Sequence, residues 1–485
     1  NGDSRVQKAA RSAAERGWDV VLVGRSPDDR PRRWRIGGAA VRLIPVHLPP
    51  WSRWHELRRA WLRSPLAYPP GPLAEARRRR VRIWRASIQS RAVESRTAGH
   101  PIGLRLRLAR VSCALTHRWV EQRARRTEAL AAARERMVSP LDRFTTWFWL
   151  RTMGDRSWRR LDPQLWDYEL AFGRTVDKLR PDLIHANDFR MLGVGARAVM
   201  RARARGRDVK LVWDAHEYLP GIKPWVPHPR WLPAQCAHER EYSRHADAVV
   251  TVSESLGDLL VERHGLAERP TVVLNAPDVA ARVEGEVPDL RERCGIGPDT
   301  PLVVYSGAAA PQRGLDVMVE ALPELADSHL ALIVLKPGSR YVRGLVARAK
   351  ELGVNGRLHV LPYVPHDQVV PFLAGADVGV IPIHHWPNHE IALITKFFEY
   401  SHARLPVVVS DVRTMAETVR ETGQGEVFEA EDLAGYVRAV REVLDAPERY
   451  RKVYDDPELL RGWTWDAQAD VLDGVYRGLI GKGKR

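Results

Sequence analysis

The sequence has little cysteine and no long hydrophobic run. Its three cysteines lie far apart, and no two of them have the spacing of metal ligands. They predict a reducing compartment and no disulfide framework. Because no run of about 18 uncharged apolar residues occurs, we expect no transmembrane helix. The chain opens with the polar stretch NGDSRVQKAA, which does not have the pattern of a signal peptide.

Lysine is also scarce, and the basic charge is concentrated in one segment. The chain carries a net charge of +16, yet residues 51–160 hold 26 arginines, no lysine and eight acidic residues. The rest of the chain is therefore close to neutral. The same segment contains eight of the 17 tryptophans. This Arg/Trp-rich segment needs an explanation of its own.

Outside residues 51–160, strands and helices alternate along the chain. A length of 485 residues favours two or three domains. The alternation predicts an α/β fold with two Rossmann-like domains, at 1–282 and 283–462, followed by a helix in 463–485. The first predicted helix, 4–18, precedes the first predicted strand, 19–24. Since such a sheet normally begins with a strand, we expect an apolar strand upstream in the full-length reading frame.

Polar side chains follow two predicted strands of the first domain. Asp188 ends PDLIHAND, and Asp214, His216 and Glu217 end VKLVWDAHE. In open parallel sheets the carboxyl ends of the strands line the ligand crevice, so we expect these residues in one cleft. A histidine at a strand end can equally be structural, and Asp214 can instead cap a helix or a turn.

The stretch from Asn388 to Asp411 predicts an anion site in the second domain. Lys396 and Glu399 are three residues apart and share one face of a helix. The backbone N–H groups of Ile394 and Thr395 stand at the helix start, where anions bind. A phosphate-binding helix start with a carboxylate one turn later suits a nucleotide sugar. The alternative is an ordinary amphipathic helix with a surface ion pair.

Motifs along most of the chain resemble the family-4 glycosyltransferases, which have the GT-B fold of two facing Rossmann-like domains. The resemblance covers essentially everything except residues 51–160. It implies a transferase that takes a sugar from a nucleotide-diphosphate donor, usually with retention of configuration and without a metal. It also implies a C-terminal helix that crosses back onto the first domain. The motifs are ERGWDVVLVG, PDLIHAND, WDAHEYLPG, ADAVVTVSESL, VLNAPD, YSGAAAPQRGLD, GADVGVIPI, KFFEY, LPVVVSD and WTW.

The resemblance assigns roles to residues of the second domain. Glu399 matches the second glutamate of the family's glutamate pair, which holds the donor ribose, whereas the first glutamate falls on Ile391. The chain is similar to the branch that reads N…K-x-x-E-Y, in which Lys396 lies near the donor phosphates. Gly307 matches a glycine that lets a loop approach the diphosphate.

One of the family's two usual cations is absent from this sequence. The Arg and Lys that normally follow the glycine fall on Ala308 and Arg313. We therefore expect Arg313 and Lys396 to neutralise the diphosphate together. The alternative for Arg313 is a surface arginine at a helix start.

The resemblance also points to the acceptor side of the cleft. His216 matches a family position near the sugar and the acceptor. His185 is a candidate for a similar role, but a structural role is favoured more strongly for it because it adjoins the strand. Asp188, Asp214 and Glu217 are candidates for binding acceptor hydroxyls or acting as a base. No protein nucleophile is evident, so the resemblance favours a donor-phosphate oxygen as acceptor of the proton.

The histidine-containing loop 385–390 has two interpretations. Histidines close in sequence suggest metal ligands, but no carboxylate lies at a known spacing from them. We prefer a loop that closes over the donor sugar and offers Asn388 and Glu390 to its hydroxyls. We expect neither a metal nor another cofactor.

The segment 51–160 is predicted to contain helices at 74–93, 104–137 and 140–153. Its breaks are Pro69-Pro70-Gly71-Pro72 and Gly99-His100-Pro101. Three functions are open. The helices can lie on an anionic bilayer, pack their tryptophans inward, or bind a polymer or protein partner. Nucleic acid is the least expected partner.

The sequence as a whole predicts a cytoplasmic glycosyltransferase, peripheral on the inner face of the cell membrane. Its expected acceptor is a cell-envelope or exported glycan, or a lipid-linked molecule. One alternative is a GT-B nucleotide-sugar epimerase, against which the large insert argues. The other is a non-catalytic membrane- or nucleic-acid-binding protein, because Ile391 and Ala308 replace two familiar donor contacts.

Overall fold

A computed structural model describes most of the chain. The described residues are 4–28, 30–46, 66–68, 72–97, 99, 101–135, 140–222, 229–279, 283 and 285–481. Three of the segment's tryptophans (Trp51, Trp54 and Trp61) and part of its proline-rich break lie outside them. No helix among the described residues is long and apolar enough to cross a membrane.

The first domain contains two sheets. Strands β1, β3 and β2 form one, in that order, with β1 parallel to β3 and β2 antiparallel to it. The other is parallel and has the order β4-β5-β6-β7. The strands are β1 (Val21–Arg25), β2 (Arg32–Ile36), β3 (Ala39–Ile44), β4 (Leu183–Asn187), β5 (Lys210–Ala215), β6 (Ala248–Thr251) and β7 (Thr271–Val272).

Helices alternate with these strands, as the sequence predicts for an α/β fold. A core built around Trp158, Leu192, Leu211 and Trp213 lies between the parallel sheet and its helices. Outside the insert, the helices of this domain are α1 (Ser4–Glu15), α5 (Trp158–Leu161), α6 (Leu165–Leu179), α7 (Asp188–Arg203), α8 (Trp231–Ser243) and α9 (Glu254–His264).

The second domain is built on one parallel sheet of six strands, in the order β10-β9-β8-β11-β12-β13. Buried apolar clusters cover both faces, which explains the near-continuous hydrophobic runs of its strands. The strands are β8 (Leu302–Gly307), β9 (His329–Val334), β10 (Leu358–Pro362), β11 (Val378–Ile381), β12 (Val407–Ser410) and β13 (Gly425–Phe428). Its helices are α10 (Leu290–Cys294), α11 (Leu315–Glu320), α12 (Arg340–Glu351), α13 (Val369–Leu373), α14 (Thr395–His402), α15 (Arg413–Thr422), α16 (Leu433–Asp445), α17 (Pro447–Arg451) and α18 (Pro457–Gly462).

The last helix, α19 (Trp465–Gly481), lies against the first domain. Trp465, Leu472 and Tyr476 join an apolar cluster with residues of α1, β5 and β6. At the edge of this contact Arg16 binds the carboxylates of Asp466 and Asp470 at 2.8 and 2.7 Å. The C-terminal helix therefore ties the two ends of the chain together.

A buried ion pair joins α1 to the parallel sheet. Nε and Nη2 of Arg5 donate to the two carboxylate oxygens of Asp214, at 2.8 and 3.1 Å. Asp214 is only 1% exposed. Burial alone would raise the pKa of Asp214, but the charge of Arg5 and the nearby His185 hold it well below its usual range. Asp214 is therefore ionised, with its charge balanced inside the fold.

The insert forms the predicted helices. They are α2 (Leu73–Thr97), α3 (Leu104–Glu135) and α4 (Pro140–Met153). Helices α2 and α3 form a hairpin around an apolar seam that includes Val81, Ile88, Cys113 and Val120. Trp158, at the end of the segment, is fully buried in the core of the first domain.

Loss of the Asp214 charge is expected to destabilise the protein. In Asp214→Asn the buried guanidinium of Arg5 keeps its charge but loses the carboxylate of Asp214, so the free energy of unfolding should fall by about 3 kcal/mol. Urea denaturation measures this change. The control is Glu254→Gln, which removes an exposed partner of Arg269 and should change stability by less than about 0.5 kcal/mol. Equal stability of the two variants would contradict a structural role for the buried pair.

Candidate functional site

Gly307 ends β8 and comes close to the side chain of Lys396. Its φ of +137° favours glycine, and a Cβ atom there would lie 2.6 Å from Nζ of Lys396. Nζ donates a hydrogen bond to the hydroxyl of Tyr305, at 2.9 Å, and lies 4.2 Å from the centre of its ring. The end of β8 and the start of α14 thus meet around the Lys396 ammonium, as expected from the sequence.

Lys396 and Glu399 are both held in a largely desolvated environment. Glu399 is 4% exposed, and no hydrogen bond to its carboxylate is found among the described residues. Burial raises the pKa of Glu399 to about 7, against the opposing charges of Lys396 and Lys8. Burial and the charge of Arg313 lower the pKa of Lys396 to about 7. Each group is therefore poised between its charged and neutral forms near neutral pH.

Arg313 supplies a second cation beside Lys396. It ends a 3₁₀ turn, Pro311–Arg313, and Gly314 follows with φ +66°. A side chain on Gly314 would collide with the carbonyl oxygen of Pro382. Glycine therefore lets the turn pack closely against the end of β11. Within the described part of the chain, neither Arg313 nor Lys396 forms an ion pair with a carboxylate. Arg313 is half-buried and its charge lowers the pKa of Lys396, and its role at a diphosphate stays a prediction.

The start of α14 adds backbone donors to the two cations. Ile394 is its N-cap residue in an extended conformation, and no side chain caps the helix in the structure described. The hydroxyl of Thr395 instead accepts a hydrogen bond from Asn275 Nδ2, at 2.9 Å. An uncapped helix start flanked by two cations is a favourable environment for a phosphate.

On the first domain, Asp188 occupies a strained position at the cleft. It begins α7 at the carboxyl end of β4, with a φ of +69° that is rare for a residue other than glycine. Burial raises the pKa of Asp188 to about 6, while Arg190 and His216 act in the opposite direction. The Arg190 guanidinium lies 3.0 Å from the Asp188 carboxylate. Glu217 is exposed nearby and raises the same pKa.

The interpretation of Asp214 and His185 as cleft residues is corrected by the structure. Both oxygens of Asp214 bind Arg5 in the interior, so Asp214 is not available as a base. His185 Nδ1 lies 2.7 Å from the hydroxyl of Tyr476, and its Nε2 lies 3.4 Å from Asp214. His185 therefore helps to hold the C-terminal helix. The structural alternative thus applies to His185, whereas Asp214 is a buried partner of Arg5 and not the helix or turn cap that was its alternative.

Asn388 joins the two domains, and both polar atoms of its side-chain amide form hydrogen bonds across that contact. Its Oδ1 accepts from the backbone N–H of Tyr218 at 2.8 Å, and its Nδ2 donates to the carbonyl of the same residue at 3.0 Å. The expectation that it offers the amide to a donor sugar is therefore wrong for this conformation. The contact holds loop 385–390 of the second domain against the segment that follows β5 and carries His216.

Glu390 is likewise engaged within the second domain. One of its oxygens lies 2.6 Å from Nδ1 of His385, and the other accepts from the backbone N–H of Arg413 at 2.8 Å. The hydrogen bond with Glu390 raises the pKa of His385. Glu390 thus anchors the loop to α15, and it does not replace the glutamate that is missing at position 391. No three His, Cys, Asp or Glu side chains in the described ranges are grouped to hold a metal ion.

Ile391 explains why that glutamate is absent. Its side chain is 5% exposed and packs into the apolar core of the first domain, and its carbonyl accepts a hydrogen bond from Ser253 Oγ. A carboxylate at this position would be buried in an apolar cluster. The sequence shows only an unexpected apolar residue, whereas the structure shows that it is a docking residue between the domains.

Lys8 is a site residue that the sequence analysis missed. It lies three residues after Arg5 on α1, and its ammonium donates to the carbonyl of Ala276 and to Asn275 Oδ1. Its charge lowers the pKa of Glu399. The sequence does place two basic residues, Arg5 and Lys8, on the otherwise apolar face of α1. Nothing in the sequence indicates that this face meets the second domain.

Restoring the family's glutamate at position 391 is expected to harm this protein. Ile391→Glu buries a carboxyl group in an apolar core and should lower the free energy of unfolding by at least about 2 kcal/mol. Ile391→Leu conserves volume and should cost less than about 1.5 kcal/mol. Chemical denaturation compares the two. A glutamate variant as stable as the leucine variant would mean that Ile391 is not a docking residue.

Comparison with known proteins agrees with this architecture. Residues 139–281 match the model described as Glycosyltransferase Family 4, and residues 286–456 match that of Glycosyl transferases group 1. A curated relative, D-inositol 3-phosphate glycosyltransferase 1 from Catenulispora acidiphila, is 27% identical over 322 residues. That match covers 62% of this chain and 73% of the relative.

Solved structures show the same fold. Sucrose-phosphate synthase from Thermosynechococcus elongatus superposes with a TM-score of 0.54 at 18% identity, over 66% of this chain and 79% of that one. HepE from Anabaena, in complex with UDP-glucose, has a TM-score of 0.52 at 18% identity, over 64% and 83% of the two chains. The two family models match successive segments that together cover more than half of the chain, in the order of its domains, and the chain belongs to the family-4-type glycosyltransferases with the GT-B fold.

Proposed function

We propose that this glycosyltransferase takes its sugar from a nucleotide-diphosphate donor bound at the start of α14. The observation that carries this proposal is the pair of cations, Arg313 and Lys396, beside an uncapped helix start and without a carboxylate partner in the described residues. A diphosphate supplies the missing negative charge. The lack of a side chain at Gly307 leaves room for the Lys396 ammonium at this site, and Glu399 accepts hydrogen bonds from the ribose hydroxyls. The UDP-glucose complex of HepE supports a donor of this class.

The proposed transfer retains the anomeric configuration and uses no metal. The acceptor oxygen bonds to the anomeric carbon on the face that the diphosphate leaves, while the bond from that carbon to the phosphate oxygen breaks. The acceptor proton passes to a phosphate oxygen of the leaving group. Arg313, Lys396 and the N–H groups at Ile394 and Thr395 stabilise the negative charge that develops on that group.

Residues of the first domain are proposed to position the acceptor. Asp188 and His216 lie at the cleft edge, with Glu217 exposed beside them. A carboxyl group with a pKa of about 6 can accept or donate a hydrogen bond to an acceptor hydroxyl near neutral pH. We propose a glycan or lipid-linked acceptor of the cell envelope, and a peripheral location on the inner face of the membrane. The basic insert supports that choice.

Donor binding is tested by thermal stabilisation with a panel of UDP-, GDP-, ADP- and dTDP-sugars. A donor present at 100 times its dissociation constant should stabilise the folded protein by about 2.7 kcal/mol. Glu399→Ala should lose most of this shift, because the ribose loses its acceptor. Glu421→Gln, at an exposed position of α15, is the matched control and should keep it. Absence of a shift with every donor, or an undiminished shift in Glu399→Ala, would contradict the proposed site.

Donor affinity is expected to have a bell-shaped pH dependence with its maximum near pH 7. The diphosphate favours charged Lys396, whose pKa of about 7 in the free protein rises on binding, so affinity falls as pH rises above 7. The ribose hydroxyls favour ionised Glu399, whose pKa of about 7 falls on binding, so affinity also falls as pH drops below 7. Calorimetric titration across pH measures both limbs.

Each limb has its own control variant. Lys396→Arg should flatten the alkaline limb, because arginine stays charged. Glu399→Gln should flatten the acidic limb, because an amide does not titrate. Parent affinity that is constant from pH 6 to 8 would rule out the titration of these groups in donor binding.

A further inference from the structure

Most of the exposed large hydrophobic side chains that the structure describes lie in the insert. Among the described residues, 14 of the 21 large hydrophobic side chains that are exposed lie between Leu66 and Phe148. Three tryptophans of the segment, Trp84, Trp119 and Trp147, are 36%, 48% and 59% exposed, in contrast to buried Trp158. Inward packing therefore accounts for only part of this segment. Large contiguous apolar surfaces of this kind mark interaction sites.

Helix α3 presents apolar residues on two opposite faces. Its inner face, with Cys113, Val120 and Ala124, forms the seam with α2. The outer face is a stripe at spacings of four, three, four and four residues, about 22 Å long at the rise of an α-helix. The stripe consists of Leu104, Leu108, Val111, Leu115 and Trp119, which are 73%, 58%, 59%, 61% and 48% exposed.

Arginines flank this outer stripe on both sides. At 100° per residue, Arg105 falls on one side of the stripe, and Arg107 and Arg118 fall on the other. All three are exposed, and none forms an ion pair with a carboxylate in the part of the chain that the structure describes. An apolar stripe between two rows of unpaired cations fits a partner that offers both acyl chains and negative charge.

We infer that the outer stripe of α3 docks on an anionic lipid surface. The three leucines, Val111 and Trp119 insert at the boundary between headgroups and acyl chains, and the flanking guanidinium groups bind lipid phosphates. A second copy of this chain would bring two strongly basic segments together, and like charges oppose that contact. Nucleic acid would satisfy the arginines, but four of the five side chains of the stripe are aliphatic, and only Trp119 has a π face on which a base stacks. The inference does not depend on the proposed transfer chemistry.

Vesicle flotation of the full chain tests this docking. At low salt the protein should float with vesicles of equal parts phosphatidylglycerol and phosphatidylcholine, and not with vesicles of phosphatidylcholine alone. Substituting Leu108, Val111 and Leu115 together by glutamine should reduce vesicle binding about tenfold or more, because the stripe no longer inserts. Glutamine keeps the helix propensity of these outward-facing positions. Substituting Arg105, Arg107 and Arg118 together by glutamine should reduce binding about a hundredfold.

The matched control substitutes three exposed apolar residues on other helices, Met200, Val346 and Val471, by glutamine. It should bind like the parent, and circular dichroism should show the same helix content in all variants. Equal flotation of the parent and the stripe variant overturns the inference. So does equal binding to both kinds of vesicle, binding to single-stranded DNA without binding to vesicles, or a dimer in light scattering that the stripe substitutions dissociate.

Discussion

Two ionisable side chains of the second domain, buried Glu399 and half-buried Lys396, form no ion pair with another residue that the structure describes. Burial moves both pKa values to about 7, and Arg313 adds a further positive charge beside the ammonium. Such an arrangement is costly in the empty protein and becomes favourable when an anion with hydroxyl groups occupies it. Gly307 serves this constraint, because its backbone lies close to the Lys396 ammonium, and Gly314 lets the turn that carries Arg313 pack against the backbone of Pro382.

The first domain completes the site by docking on the loop before α14. Ile391 enters its core, Asn388 pairs with the backbone of Tyr218, and Ser253 binds the carbonyl of Ile391. Lys8 and Asn275 extend the contact toward Thr395 and Glu399. In the family pattern this loop offers polar groups to the donor sugar. Here Asn388 and Ile391 of the loop contact the first domain instead. This exchange accounts for the glutamate that the sequence lacks.

Much of the fold could be predicted from the sequence because periodicity and turn residues are local signals. The three helices of the insert and the strand Val407–Ser410 lie close to their predicted ranges. The antiparallel strand β2 was missed, since it is only five residues long, carries three arginines and is almost fully exposed. Strand β13 was missed for a similar reason, as four residues give too short a pattern.

The site was predictable where one element carries it and unpredictable where two domains meet. Lys396 and Glu399 share a helix, so their spacing alone placed them together. In the sequence Asp214 has the position of a catalytic carboxylate. In the structure it forms an ion pair with Arg5, which lies 209 residues away along the chain. Asn388 and Lys8 acquire their contacts only when the domains close. Pairing over such distances depends on tertiary geometry, which a single sequence does not encode legibly.

Slow hydrolysis of nucleotide sugars in the absence of an acceptor tests the central claim most directly. Mass spectrometry of a donor panel incubated with the parent protein should detect a nucleoside diphosphate released from at least one donor, and Glu399→Gln should release it much more slowly. Failure of the parent to consume any donor, or equal release by the two proteins, would contradict the assignment of Lys396 and Glu399 to a donor site.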